Sequence, residues 1–139
     1  MTYREAINLG EKVLNMADVA DAKIDAWLLL EMVCKIDRSF YYLHMEDEVA
    51  EEQLSEYEIA LRKRAEHVPL QYIVGEAEFM GLKFKVNSNV LIPRQDTETL
   101  VEEALKVVKP GMKVLDLCTG SGCIIVSIVH NVPEVEGTA

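Results

Sequence analysis

The residues best suited to binding chemistry lie in one short segment, residues 114–130. An apolar run typical of a buried strand begins at Val114, and a second apolar run typical of a helix begins at Cys123. Glycines in the connecting loop allow the backbone to approach a ligand closely, and the N–H groups that begin the helix can point at it. The residues that we predict to form this site are Asp116, Cys118, Thr119, Gly120, Ser121 and Gly122.

Two classes of cofactor use a loop of this kind. A dinucleotide site has the pattern Gly-x-Gly-x-x-Gly, but Ile125 occupies the third glycine position here, so this interpretation is weak. S-adenosylmethionine has no pyrophosphate and requires only small residues and an acid at the end of the strand. The carboxylate of Asp116 can attract the positive charges of that cofactor. In the alternative interpretation, Asp116 only stabilises a turn by hydrogen bonding.

Histidines and cysteines give no evidence of a metal site. The three cysteines, Cys34, Cys118 and Cys123, contain no Cys-x-x-Cys pair, and no recognisable zinc-ligand spacing joins them to the histidines. We interpret the cysteines as small buried residues of a protein in a reducing compartment. We expect His44 and His67 to be surface or capping residues and not acid–base catalysts.

Composition limits the classes of partner. The 139 residues include 14 basic and 24 acidic side chains, and the resulting charge of −10 argues against direct nucleic-acid binding. The basic run at residues 62–64 is explained by the favourable position of cations in the last turn of a helix. The N-terminus does not resemble a signal peptide, and no apolar run is long enough to span a bilayer. The default expectation is a cytoplasmic protein without membrane contact.

The elements that must position the loop form three segments, and the predicted fold class is α+β overall. Residues 1–68 form a predicted helical bundle, in which Thr2 and Glu5 have the spacing of a capping box. Residues 69–90 form a predicted β-hairpin linker, with extended backbone at 72–74 and a turn at 80–81. Trp27, Tyr41, Tyr42 and Tyr57 could form a peptide-binding face, but their helical spacing favours a place in the core.

Residues 91–139 form the predicted start of a Rossmann-like α/β domain, which the sequence leaves incomplete. A helix capped by Asp96 or Thr97 precedes the strand, the glycine loop and the second helix. Residues 131–139 have no clear pattern, so we expect the strand at 114–117 to have no neighbour after it in the chain. An apolar strand without a neighbour favours self-association through the unfinished sheet.

Three motifs in this order resemble the peptide-chain release factor glutamine methyltransferases. They are residues 69–79 (Pro-Leu-Gln-Tyr-Ile-Val-Gly-Glu-Ala-Glu-Phe), 91–98 (Leu-Ile-Pro-Arg-Gln-Asp-Thr-Glu) and 115–122 (Leu-Asp-Leu-Cys-Thr-Gly-Ser-Gly). With the helical stretch that begins at Asp21, the resemblance covers residues 2–130. It implies methyl transfer from S-adenosylmethionine to the side-chain amide nitrogen of a glutamine in a release factor. It also implies that the N-terminal helices help to dock the release factor and that the loop from Cys118 to Gly122 lines the cofactor pocket.

The resemblance implies two features that the sequence does not contain. One is the catalytic tetrapeptide Asn-Pro-Pro-Tyr, and the other is an acidic residue that holds the ribose at the end of the second strand. Asn131-Val132-Pro133 stands too early to be that tetrapeptide. We therefore predict no catalytic residue and a catalytically incomplete chain. Two alternatives remain: a non-catalytic protein-interaction fragment, and a methyltransferase of the same fold that acts on nucleic acid or on another protein.

Overall fold

A computed structural model describes residues 1–139, with mixed helix and strand content of the α+β class. Two compact units divide the chain, Met1–Val74 and Gly75–Ala139. The first unit contains α1 (Tyr3–Met16), α2 (Ala22–Cys34), α3 (Arg38–His44), α4 (Glu51–Ala65) and α5 (Leu70–Val74). The second contains β1 (Glu76–Phe79), β2 (Leu82–Lys85), α6 (Gln95–Val107), β3 (Lys113–Leu115), α7 (Cys123–Asn131) and β4 (Glu136–Thr138). None of the helices combines the length and the apolar character needed to cross a membrane.

Helices α1, α2 and α4 pack together around the core of the first unit. The predicted capping box is confirmed, because the Thr2 hydroxyl accepts a hydrogen bond from the Glu5 backbone and the Glu5 carboxylate accepts one from the Thr2 backbone. A Cβ at Gly10 would overlap the hydroxyl of Tyr57. That hydroxyl is buried and donates to the carbonyl of Ala26 over 3.1 Å. Glycine at this position therefore permits the close approach of the three helices.

A buried ion pair joins α2 to α4. Arg64 lies in the last turn of α4 with the other cations of its run, as the sequence predicts. Its Nε donates to Asp25 Oδ2 over 2.6 Å, and its Nη1 donates to the carbonyl of Val68 over 3.2 Å. Asp25 is one of two buried polar residues in the chain. Sequence spacing does not predict this pair, because the two residues lie on different helices.

The extended backbone predicted at residues 72–74 is wrong, because these residues belong to helix α5. The carbonyl of Pro69 accepts hydrogen bonds from the N–H groups of Tyr72 and Ile73, which closes a helical turn. Side chains of α5 pack partly buried against the core of the first unit, among them Leu70 and Val74. The helical unit thus extends past residue 68, and the hairpin begins after Val74.

The predicted hairpin and its turn are confirmed. Strands β1 and β2 pair antiparallel, with Phe79 opposite Leu82. Both turn residues, Met80 and Gly81, have positive φ angles of 50° and 73°, as in the tight turns that suit the twist of a hairpin. Glu98 of α6 accepts a hydrogen bond from the backbone N–H of Met80 over 2.7 Å. The hairpin is therefore fixed to α6 within the second unit.

A helix cap predicted for α6 is wrong. The N-cap residue is Arg94, which makes no side-chain cap, and Asp96 and Thr97 lie inside the first turn. Here the acidic side chain of Asp96 faces the positive end of the helix dipole without capping a backbone N–H. The helix thus begins directly after the extended segment at residues 91–94.

Strand β3 has a neighbour, so the predicted absence of one after it is wrong. Strand β4 pairs with β3 in parallel, with Val114 opposite Gly137 and Leu115 opposite Thr138. Helix α7 connects the two strands, which makes a β-α-β unit. The strand is also less buried than predicted, since Leu115 is 63 % exposed while Val114 packs against the core. Successive side chains of a strand point to opposite faces, and α7 covers only one face of this sheet.

Candidate functional site

The candidate cofactor loop joins β3 to α7 and is folded by two of its own side chains. The backbone N–H of Asp116 donates to the carbonyl of Thr138 over 2.8 Å, which fixes the start of the loop beside β4. The hydroxyl of Thr119 donates to Asp116 Oδ2 over 2.8 Å, and the N–H of Gly122 donates to the carbonyl of Thr119 over 2.9 Å. Asp116 thus makes the turn-stabilising bond of the alternative interpretation, through one of its two carboxylate oxygens.

Three residues of the loop have left-handed backbone conformations. The φ angles are 61° at Cys118, 59° at Gly120 and 79° at Gly122. Glycine adopts this conformation without strain, whereas a β-branched residue does so rarely. A Cβ at Gly120 would meet no atom within 4 Å, so the backbone angle and not local crowding favours glycine there. All residues of the loop from Leu117 to Gly122 are exposed or partly exposed.

The first turn of α7 adds backbone donors to the loop. Its N-cap is Gly122, and no side chain caps the helix. The first N–H groups of an uncapped helix remain available to a ligand, and the helix dipole adds positive potential. With the carboxylate of Asp116 nearby, the loop offers both donors and a negative charge. This donor set suits a small ligand that has cationic and hydrogen-bond-accepting groups, and no group of three or more His, Cys, Asp or Glu is placed to hold a metal.

The cysteines differ in environment. Cys34 and Cys123 are buried as predicted, but the prediction is wrong for Cys118, which is exposed. Burial, with a smaller contribution from the nearby negative charge of Glu56, raises the pKa of Cys34 to about 11. A thiol with this pKa stays protonated at neutral pH and cannot act as a nucleophile.

One histidine has a carboxylate partner that the sequence analysis missed. His44 Nδ1 lies 2.7 Å from Asp47 Oδ2, three residues along the chain, and the side chains are 42 % and 65 % exposed. His67 is exposed, with a φ angle of 63° just after α4. The predicted surface position is confirmed for His67, whereas His44 is partly buried and pairs with a carboxylate.

A groove between α1, α2 and α3 is a second candidate site, with a volume of about 360 Å³. Trp27 and Tyr41 line it, with ring centroids 5.5 Å apart, and the Arg38 guanidinium lies 5.1 Å from the centroid of the Trp27 ring. The predicted core position is confirmed for Trp27 and Tyr57 but wrong for Tyr42, which is 63 % exposed. Helix α3 has no buried residue, because a helix of this length does not complete an apolar stripe.

Comparison with known proteins identifies the family of the first unit. A sequence model described as the PrmC N-terminal domain matches residues 5–75. The chain belongs to this family. The PrmC N-terminal domain match ends one residue beyond Val74, the last residue of the first compact unit.

Curated relatives extend the similarity to the whole chain. A protein of Clostridium acetobutylicum is 43 % identical over 138 residues, which cover 98 % of this chain and 48 % of the relative. A protein of Moorella thermoacetica is 38 % identical, covering 98 % of this chain and 49 % of the relative. A protein of Koribacter versatilis is 36 % identical, covering 100 % of this chain and 50 % of the relative.

All three relatives are named release factor glutamine methyltransferase, which confirms the resemblance found in the three sequence motifs. The chain spans about half the length of the curated relatives that it matches.

Proposed function

We propose that the chain forms the docking and cofactor-binding part of a release factor glutamine methyltransferase. The reaction is methyl transfer from S-adenosylmethionine to the side-chain amide nitrogen of a glutamine in a peptide-chain release factor. The observation that carries the proposal is the alignment of the whole chain with relatives of that name at 36 % to 43 % identity. A cytoplasmic location follows from the substrate, because release factors act at the ribosome.

The β3–α7–β4 unit supports the cofactor half of the proposal. Two parallel strands joined by a helix fit the start of a Rossmann-like domain, in which ligands bind outside the carboxyl ends of the strands. The loop with Asp116 stands at that end of β3. We assign residues 91–139 to this incomplete methyltransferase domain and residues 1–68 to the docking of the release factor. Residues 69–90 form the linker, of which Leu70–Val74 pack on the helical unit as α5 and residues 76–85 form the hairpin.

The chain's own residues have separate roles toward the cofactor. S-adenosylmethionine supplies, when bound, a methyl group activated by its sulfonium sulfur. The carboxylate of Asp116 attracts the positive charge of the cofactor, through the oxygen that Thr119 does not engage. The backbone at Gly120 and Gly122 permits close approach, with Thr119 and Ser121 at its side. Cys118 adds a side chain beside the pocket and narrows it.

The chain supplies no residue for the transfer step itself. Direct methyl transfer depends on holding the glutamine amide in line with the methyl group, in a site closed to water. In the family that task belongs to Asn-Pro-Pro-Tyr, and the 139 residues contain no such tetrapeptide. A second candidate function is a non-catalytic protein-interaction fragment, which would bind the release factor through the helical unit that the PrmC N-terminal domain model matches.

A competition experiment tests the docking function without requiring catalysis. The 139-residue chain is added in excess to the methylation of a release factor by the Clostridium acetobutylicum relative, with radiolabelled cofactor. We expect inhibition that disappears as the concentration of release factor rises, because the chain sequesters the substrate. Absence of inhibition at any concentration would contradict the proposal.

Calorimetric titration with S-adenosylmethionine in the same buffer tests the cofactor role. Weak binding that Asp116→Asn removes, while Lys109→Gln keeps it, is the expected result. Equal binding by both variants would move the cofactor site elsewhere. Inhibition without any cofactor binding would favour the interaction protein.

A further inference from the structure

The groove between α1, α2 and α3 has the side chains of a protein-binding site. Aromatic rings of Trp27, Tyr41 and Tyr42 form its apolar part, and Tyr41 and Tyr42 meet edge to face with centroids 5.5 Å apart. Ile24 adds an exposed aliphatic side chain. Trp and Tyr are enriched at the energetic centres of protein interfaces, because they supply large rigid surfaces at little entropic cost. The volume of about 360 Å³ suits one or two side chains of a partner.

Two cations line this groove in a chain that is acidic overall. Lys23 and Arg38 line it, both are exposed, and neither takes part in any ion pair within the chain. They give the lining an excess of positive charge in a chain with a net charge of −10. The single acidic side chain of the lining is Glu11, on α1. A partner with a carboxylate next to an apolar side chain complements this groove.

We infer that the groove binds a segment of the release factor in which an apolar side chain is adjacent to an acidic one. The apolar side chain packs against Ile24 and Tyr42, which are 54 % and 63 % exposed, and the carboxylate pairs with Lys23 and with Arg38. Arg38 is held over the indole ring, so its guanidinium is positioned before the partner arrives. The inference rests on the proposed function, to which it adds the place and the chemistry of docking.

Matched substitutions in the 139-residue chain test the groove by calorimetric titration with a purified bacterial release factor. Tyr42→Ala and Lys23→Glu are the groove variants, both at exposed positions. Leu43→Ala is the control for Tyr42, because it is the next residue on α3, is 82 % exposed and does not line the groove. Lys63→Glu makes the same charge change as Lys23→Glu on α4, outside the groove.

We expect each groove variant to weaken the affinity for the release factor about tenfold, and each control to change it less than about twofold. The effect of Lys23→Glu should shrink as salt concentration rises, because the pairing is electrostatic. Circular dichroism melts verify that all four variants are folded. Groove variants that bind as tightly as the parent chain overturn the inference and leave the proposed function intact.

If the parent chain neither binds the release factor nor inhibits its methylation, both the inference and the proposed function are overturned. A second copy of the chain is the alternative occupant of the groove. Light scattering tests for it by measuring the oligomeric state. A change of oligomeric state in Tyr42→Ala, without a change of affinity for the release factor, assigns the groove to that copy and overturns the inference.

Discussion

The Arg64–Asp25 pair is the residue-level contact with the largest expected effect on the first unit. Asp25 is 7 % exposed and Arg64 19 % exposed at their side chains, so both charges are largely removed from water. Removing one partner leaves the other charge buried and uncompensated, which costs more than the pair itself contributes. Arg62 and Glu58, both on α4, form an exposed pair at 3.7 Å. Breaking this pair costs little free energy of unfolding, because water already solvates both groups.

We therefore predict that Asp25→Ala lowers the free energy of unfolding by about 3 kcal/mol, whereas Glu58→Ala lowers it by less than about 0.5 kcal/mol. Urea denaturation followed by circular dichroism measures both. The double variant Asp25→Leu/Arg64→Met should recover most of the loss, because it leaves no buried charge. Equal effects of Asp25→Ala and Glu58→Ala would show that the pair is solvated in solution.

At the scale of elements, strand β4 determines how closely α7 packs on the sheet of the second unit. Its central residue, Gly137, lies opposite Val114 of β3, and α7 passes directly over it. A Cβ at Gly137 would come within 2.7 Å of Val129 Cγ2 and 3.0 Å of Ile125 Cγ1. The absence of a side chain thus lets α7 approach the sheet closely.

Gly137→Ala should therefore lower the free energy of unfolding of the second unit by about 1–3 kcal/mol. Adding Val129→Ala should restore part of it, since the nearer of the two crowding side chains is removed. Val126→Ala, a comparably exposed valine of α7 that does not crowd Gly137, should restore nothing. Denaturation followed by amide hydrogen exchange at α7 distinguishes the two. Equal rescue by both valine changes would contradict the packing described.

The same element explains what the sequence could and could not predict. The strand, loop and helix around residues 114–130 are predictable, because a continuous apolar run, two glycines and a second apolar run indicate them locally. Strand β4 is not, because Glu-Gly-Thr has neither alternation nor apolar side chains and exists only through its pairing with β3. Self-association through the outer edges of this two-stranded sheet stays a prediction.

At the scale of the whole molecule, the predicted change from helices to strands near Pro69 lies close to the observed boundary between the two units. The prediction misses helix α5. Residues 72–74 are predicted to be extended because the sequence pattern changes there from helical spacing to period two. Tertiary packing on the helical core decides otherwise, because Ile73 and Val74 contact that core. The aromatic groove was missed for a related reason: a spacing rule does not reveal which rings of a short helix stay exposed.

The division into two units leads to the last prediction, that residues 1–74 fold without the rest of the chain. The unit has its own core, with Leu14, Leu29 and Leu30 fully buried, and its helices are consecutive in sequence, which favours rapid folding. We expect a helical circular dichroism spectrum and a cooperative thermal transition for residues 1–74. Residues 1–68 should also be helical but less stable by about 1–3 kcal/mol, because α5 no longer covers α2 and α4. Equal stability of the two would show that α5 does not belong to the unit, and a non-cooperative melt of residues 1–74 would refute its independence.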